Sequence, residues 1–414
     1  MAKTNRPISS YKQAIEFLYS QIPVFHNIGA AAYKPGLQNT YAVAQLCGNP
    51  HIGLKCIHVA GTNGKGSTSH MLASIFQELG WKTGLYTSPH LKDFRERIKI
   101  NGKPIHGKFV VDFVNKHSKQ VAQIQPSFFE LTFVMALDYF AHKKVDIAII
   151  ETGLGGRLDS TNIVFPDLSV ITNISKDHVQ FLGNTLEKIA FEKAGIIKPG
   201  IPVVAGQASG TVKKVFEKTA KQHESPIFFA DKLKLPANLK SELKGSYQPK
   251  NFRTVLKSIE VLNKSGYNIP AKTALKGIQK VITNTGLMGR WQVVSESPRV
   301  IADIGHNEAG ITEVIKNLSK EKYKNLHIVF GVVNDKDVSA MLKQLPKKAI
   351  YYFTNAKTQR ALPAAEVKKQ AAAFKLNGNA YTSVKFALKA AKANCKKGDL
   401  IFVGGSNFVV AEIL

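Results

Sequence analysis

The segment CIHVAGTNGKGSTSHMLASIFQELG, residues 56–80, constrains the fold more than any other stretch of the chain. Five strand-forming residues run into a loop carrying Gly61, Gly64 and Gly66. A helical pattern follows in which Met71, Leu72, Ile75, Phe76 and Leu79 share one face. Glycines let successive backbone N–H groups turn toward one point, and a helix N-terminus adds partial positive charge, so the pattern makes a cradle for phosphate oxygens. Lys65 adds a point charge. The spacing departs from the common P-loop, which asks for Gly at position 59 and Ser or Thr at position 66, where this chain has Val59 and Gly66. Any hydroxyl contribution then falls to Ser67 or Thr68. A plain glycine turn explains the glycines but leaves the lysine and the paired hydroxyls without a reason.

A strand that enters a helix through such a loop belongs to an α/β fold, and the remaining periodicity agrees. Strands are expected at 56–60, 83–87, 145–151, 168–173 and 201–205, with a second series at 300–303, 326–331, 349–353 and 400–403. A basic, polar stretch over 213–280 separates the series. The 286–298 segment then reads as a linker because of its turn residues and Pro298. The boundary is placed near Ser295, giving a larger first domain over 1–295 with a mostly parallel sheet and a smaller Rossmann-like α/β domain over 299–414.

Composition narrows the class. No run approaches the roughly 18 apolar residues of a membrane span. The start, MAKTNRPISSYKQ, lacks the apolar stretch of a secretory signal, and Cys47, Cys56 and Cys395 form no disulfide framework. A cytoplasmic monomer is the expectation. The 57 Lys+Arg against 29 Asp+Glu leave a net charge of +28, which invites a nucleic-acid-binding NTPase as a rival reading. Two facts oppose it: the excess is spread along the chain, and only 8 of the basic residues are arginine, the residue best suited to bidentate contacts with bases and phosphates. Solvated lysine faces explain the charge, and no nucleic acid and no membrane are expected as partners.

A nucleotide site needs a metal ligand, and the run Val145–Glu151 ends a buried-looking strand on a carboxylate. In open α/β sheets the ligand crevice lies off the carboxyl ends of strands, where Glu151 would sit. Mg²⁺ takes one or two protein oxygens together with phosphate and water, so a single strand-end glutamate suffices chemically, although a cap or loop salt bridge would use it equally well. The next strand ends at Asn173, followed by Lys176, Asp177 and His178. Taken alone, His178 reads as a hydrogen-bonded loop histidine as readily as a ligand.

The blocks GTNGKGS, TSPHL, ERI, SFFELT, ETGLGGRLDSTN, KDH, EKAGI, GRW and DIGHN, in unbroken order from about residue 30 to the end, resemble the folylpolyglutamate synthase/dihydrofolate synthase family of Mur-ligase-like, ATP-dependent amide ligases. The resemblance implies that Gly61, Thr62, Asn63, Gly64, Lys65, Gly66 and Ser67 hold ATP together with Asn251, Arg290 and Asp303. It implies Ser88, Glu151, His178 and Lys193 as Mg²⁺ ligands, Lys193 as a carbamate. Ser127, Phe128, Phe129, Glu130, Leu158 and Asp159 would line the pterin or folate pocket, where an aromatic pair suits a flat heteroaromatic ring and core packing is the competing use. Lys65, His306 and Lys193 would be the catalytic groups. The implied activity joins L-glutamate to dihydropteroate, to tetrahydrofolate or to both through an acyl phosphate. A single-activity folylpolyglutamate synthase and a cell-wall Mur ligase are the alternatives within the enzyme class. SFFELT, GLGGRLDSTN and the lack of an evident uridine-binding segment before residue 60 oppose the cell-wall reading. The chain departs from the family pattern at 36–39, where Gly-Leu-Gln-Asn replaces Gly-Leu-Glu-Arg, and at Gly305, where Ala is usual.

Overall fold

The computed structural model describes residues 7–22 and 36–414. Residues 34 and 35 of the early substrate loop lie outside them. The first sheet has eight strands: β1 (Cys56–Ala60), β2 (Thr83–Tyr86), β3 (Ile98–Ile100), β4 (Lys103–Pro104), β5 (Ile147–Glu151), β6 (Leu168–Ile171), β7 (Val203–Ala205) and β8 (Ile227–Phe229). Their order is β4-β3-β2-β5-β1-β6-β7-β8, parallel except for β3 and β4. The second sheet has six: β9 (Gln292–Glu296), β10 (Arg299–Ala302), β11 (Leu326–Phe330), β12 (Ile350–Thr354), β13 (Gly378–Tyr381) and β14 (Leu400–Gly404), in the order β13-β12-β11-β14-β10-β9 and parallel except for β9. The protein is therefore mixed α/β with two sheets dominated by parallel pairing.

Both series of expected strands are present, and the strands outside them share a cause. β3, β4, β8, β9 and β13 sit at or beside sheet edges and none has a long apolar run, so they lack the run that marks a strand buried on both faces. The 286–298 segment, expected as a linker, instead carries β9, and Ser295 lies inside it, opposite Val300. The chain's two compact units divide at Gly286/Leu287. The second unit also takes in 175–183 and 243–249 from earlier in the sequence. Specific polar ties hold those two excursions: Tyr247 donates its hydroxyl hydrogen to Asp303 at 2.7 Å, and Asn307 Nδ2 donates to Asp177 at 3.0 Å.

In the first unit the helix Lys65–Glu78 is buried on all sides rather than on one, since Gly66 to Phe76 are all inaccessible. Its second face meets the helix Ala271–Gln279, where Gly277 comes so close that a Cβ would lie 2.5 Å from the Ile75 Cα. The polar residues on that face are satisfied locally. Ser74 donates to the Gly277 carbonyl at 2.6 Å, and His70 Nδ1 lies 2.7 Å from the Thr285 hydroxyl, which itself donates to Val281 O.

His58, fully buried in the central strand, opens a chain of hydrogen bonds. Its Nε2 lies 2.8 Å from Thr161 Oγ1, and that hydroxyl donates to Asp159 at 2.5 Å, so His58 donates through Nε2. Burial, with Lys198 nearby, holds its pKa at about 3, against about 6.5 for an unfolded histidine. Between pH 6.5 and 3 the unfolded chain binds the extra proton, so this contribution to stability is complete above pH 6.5 and falls with pH, at up to roughly 1.4 kcal/mol per unit. Urea unfolding at pH 7.5 and pH 5.0 should show a steeper loss for wild type than for His58→Gln; equal losses would remove His58 as the cause.

Candidate active site

The glycine loop is fixed from beneath by the strand next door. Thr62 N donates to Asn173 O at 2.8 Å, Asn63 N donates to Asn173 Oδ1 at 3.1 Å, and Thr172 Oγ1 and Asn173 Nδ2 both donate to Asn63 O, at 2.7 and 2.8 Å. Gly61 has φ of +141°, and a Cβ there would lie 1.9 Å from Thr172 Oγ1; Gly64 has φ of +87°, and its Cβ would lie 2.4 Å from Asn251 Oδ1. No side chain larger than hydrogen fits either place. Gly64 caps the helix, so the amides of Lys65, Gly66 and Ser67 form its first turn, the part of a helix that has no intrahelical acceptor. Lys65 Nζ donates to the carbonyls of Gly61 and Thr62 at 3.0 and 3.3 Å. The seven loop residues and Asn251 are thus brought together.

Glu151 ends β5 beside this loop, because Val59 and Glu151 are register partners on β1 and β5. It is 4% exposed, and the Ser88 amide faces its Oε2 at 3.4 Å. A buried carboxylate beside a serine offers hard oxygen donors, which fits a Mg²⁺ ion next to phosphates. Lys193, also 4% exposed, closes the helix Leu186–Ala194. The glycine-rich loop after β5 packs on that helix end: a Cβ at Gly156 would lie 2.9 Å from both the Glu192 and Lys193 carbonyls, and Arg157 N donates to Glu192 O at 2.7 Å.

The six residues expected to line an acceptor pocket divide into two groups. Ser127 and Glu130 form a capping box at the start of the helix Phe128–Lys143, each side chain accepting from the other's backbone amide, at 3.3 and 2.6 Å. Their side chains thus have a structural use that the sequence signature of a cap could have disclosed. Phe128 is a core residue, 4% exposed, stacked on Tyr19 at 5.1 Å and met edge-on by Phe94 at 5.8 Å. Phe129 is the ring left partly open, with its tip against Gly153, where a Cβ would come within 2.5 Å of Cζ. Asp159 accepts from Leu154 N at 2.6 Å and from Thr161 N at 3.0 Å, which shapes the loop behind Gly153. Burial raises its pKa, and these hydrogen bonds oppose the rise. Leu158 is half-buried in the same loop.

The second unit gathers the others. Asp303, 3% exposed, accepts from Tyr247 OH, Trp291 N and Gly305 N at 2.7 to 2.8 Å; burial raises its pKa, opposed by Tyr247 and by the half-buried Arg290. His306 Nδ1 lies 3.0 Å from Ile304 O, and its Nε2 lies 3.7 Å from Asp177. Asp177 also accepts from Lys336 Nζ at 2.5 Å and from Asn307 Nδ2. Burial alone would raise its pKa, but His306, His178 and Lys336 hold it well below the carboxylate range. Burial pushes His178 down to about 3, the neutral state that a metal-ligating nitrogen requires. Asp177, Tyr247 and Lys336 were not singled out from the sequence. Asp177 lies inside the KDH block, whereas Lys336 carries no local signal.

Similarity to known proteins follows the same division. Residues 59–284 match the Mur ligase middle domain, and residues 289–407 match the Mur ligase glutamate ligase domain. The dihydrofolate synthase/folylpolyglutamate synthase of Bacillus subtilis is 36% identical over 343 residues, covering 75% of this chain and 79% of that one. The chain belongs to the folylpolyglutamate synthase/dihydrofolate synthase family of Mur ligases. Among solved structures, the E. coli FolC complex with DHPP and ADP superposes with a TM-score of 0.85 at 29% identity, over 99% of this chain and 98% of that one. A bifunctional folylpolyglutamate synthase/dihydrofolate synthase with Mn, AMPPNP and L-glutamate bound also gives a TM-score of 0.85, at 27% identity and the same coverage. The family is an enzyme family, and the chain is an ATP-dependent ligase. Lys65→Ala and Glu151→Gln should each reduce turnover by roughly 10²-fold or more, the loss seen when a preorganised charge-stabilising group is removed. Both should unfold near the wild-type urea midpoint, because neither side chain fills the core. Turnover within a few fold of wild type in either variant would take that residue out of the site.

Proposed function

We propose that the protein joins L-glutamate to dihydropteroate and to tetrahydrofolate. The observation that carries the reading is that one compact unit holds the glycine cradle, Glu151 and, on the loop that follows Glu151, Gly153 against the partly exposed Phe129 ring. A phosphate site alone would fit any nucleotide hydrolase. The open aromatic edge beside it suits a flat heteroaromatic acceptor. Relatives solved with DHPP, ADP, a nucleotide analogue, Mn and L-glutamate support the same set of small molecules.

The chemistry asked of the chain is mainly placement. Gly61 to Ser67 and Asn251 hold the nucleotide, with Lys65 over the terminal phosphates. Glu151, Ser88 and carbamylated Lys193 would hold Mg²⁺, which would supply a Lewis acid for charge developing on phosphate oxygens. The acceptor carboxylate attacks the terminal phosphoryl group, ADP leaves, and an acyl phosphate forms. The α-amine of L-glutamate then displaces phosphate to give the amide. Arg290, Asp303 and His306 carry the nucleotide and charge-stabilising roles proposed for the second unit. Phosphoryl transfer of this kind needs orientation and electrostatic stabilisation rather than a covalent protein nucleophile.

Pure protein incubated with MgATP, L-glutamate and either acceptor should release ADP only when glutamate is present, and each product should gain the mass of one glutamyl residue or more. Products from tetrahydrofolate alone would reduce the activity to folylpolyglutamate synthase, and products from dihydropteroate alone would reduce it to dihydrofolate synthase.

Lys193 tests a finer point. An ammonium at the last turn of a helix is favourable by itself, but one beside Mg²⁺ repels it, whereas a carbamate changes the side chain from +1 to −1 and offers two hard oxygens. ¹³C-bicarbonate should give a protein carbamate resonance in wild type that is absent in Lys193→Ala, and small carboxylates should restore part of that variant's activity. No resonance in wild type together with full activity in Lys193→Ala would exclude the carbamate.

A further inference from the structure

The ERI block has no part in the chemistry above, yet two of its side chains are committed to one loop. The segment Thr87–Asp93 leaves β2 and carries Ser88 past Glu151. Glu96 accepts three successive amides from its far end: Leu91 N at 2.8 Å on one oxygen, and Lys92 N and Asp93 N at 3.0 and 2.9 Å on the other. Arg97 holds the near end and the middle, because its carbonyl accepts Thr87 N at 3.0 Å and its Nε donates to His90 Nδ1 at 2.7 Å. An arginine side chain is always a donor. His90 Nδ1 must therefore be the acceptor, which leaves Nε2 carrying the hydrogen, 3.2 Å from the Tyr19 hydroxyl. Arg97 and Glu151 also feel each other's charge.

Arg97 is an unusual residue to spend on such a task. It is 2% exposed, and among the described residues no carboxylate pairs with it; its guanidinium lies over the Phe128 ring at 5.3 Å. Burying a cation that no ion pair closes on costs more than its neighbours Glu151 and Glu96 return, since burial still lowers its pKa, so a scaffold that needed only to fill this space would do better with an apolar side chain. What an apolar side chain lacks is a directed donor to the loop. Met, Leu or Phe would fill the volume and leave His90 and the loop free to turn.

We infer that Glu96 and Arg97 are positioning residues: through Leu91–Asp93 and His90 they fix the 87–93 loop so that Ser88 is held against Glu151, and they thereby set the affinity of the metal corner. The inference rests on the metal role proposed for Ser88 and Glu151. Groups that orient metal ligands without touching the metal typically change its affinity by 10- to 100-fold when removed.

The test measures metal binding directly, without turnover. Mn²⁺ binding to the full-length protein saturated with a non-hydrolysable ATP analogue is followed by electron paramagnetic resonance in wild type, Arg97→Lys, Glu96→Gln, His90→Leu and His90→Gln. The first three variants should bind Mn²⁺ roughly tenfold or more weakly. His90→Gln, whose amide oxygen can still accept from Arg97 Nε, should return to within a few fold of wild type. In steady state the Mg²⁺ concentration for half-maximal rate should rise in the same order, with the acceptor KM little changed. Urea midpoints identify variants that fail to fold; Arg97→Lys is the mildest of them, and its binding decides the matter if the others fail. Wild-type Mn²⁺ affinity in folded Arg97→Lys and Glu96→Gln, or equal losses in His90→Leu and His90→Gln, would overturn the inference. Absence of Mn²⁺ binding in wild type would instead overturn the metal reading of Ser88 and Glu151.

Discussion

The close approach of Gly61 to Thr172 is the constraint on which the rest of the nucleotide site depends. At 1.9 Å from a would-be Cβ, the Thr172 hydroxyl occupies the space a side chain would need, and from there it donates to Asn63 O. The loop after β1 is thereby tied to the end of β6. β5, on the other side of β1, delivers Glu151 to the same edge through its register with Val59. Two parallel neighbours thus supply a floor and a carboxylate, and the central strand supplies the cradle. This is the arrangement expected where connections leave a central strand toward opposite sides of a sheet.

Much of this was legible in the sequence because it rests on local signals. A strand, three glycines and a helix are contiguous, and a buried strand ending in glutamate is visible as an apolar run with one charge at its end. What was not legible depends on partners distant in sequence. Phe128 and Phe129 are adjacent and chemically identical; only the positions of Tyr19, Phe94 and Gly153 decide that the first is core and the second stays partly exposed against Gly153. Ser127 and Glu130 illustrate the opposite error, since their i, i+3 spacing is a helix-cap signature that the family resemblance overshadowed. The 286–298 segment looked like a linker because an edge strand with polar residues and a proline turn carries no buried run. Its pairing with β10 is fixed by residues on the other side of the turn.

Charge is distributed by residue type. Arg95 pairs with Asp93, Arg157 with Glu192, Arg299 with Glu296 and Glu321, and Arg360 with Asp335, while Arg97 is spent on His90. Arg253 likewise donates its Nε to the Leu233 carbonyl at 3.0 Å, so most of the described arginines hold fixed geometry within the fold, as expected of a rigid planar fork with several donors. The excess positive charge is left to lysines, whose pairs are mostly exposed and worth little to stability, such as Lys12–Glu16 and Lys213–Glu217. Net charge is then a poor guide to partners in this chain, because the residues best suited to reading a polyanion are largely engaged elsewhere.

The titratable groups point to the same kind of chemistry as the site geometry. Burial pushes the Cys47 thiol up to about 12 and raises those of Cys56 and Cys395, so none of the three offers a thiolate near neutral pH. His58 and His178 are held neutral by burial. The groups that retain charge inside the protein are fixed by several partners each: Asp177 by Lys336 and Asn307, and Asp399 by Asn325, Lys396 and His327, with its pKa held at about 2. Among the described residues none of the cysteines is a ready nucleophile, and in the site itself the buried charge of Asp177 is held fixed. Such a site lowers a barrier by presenting a prearranged field to a substrate whose own charge shifts, and transfer of a phosphoryl group to a carboxylate is a reaction of that type.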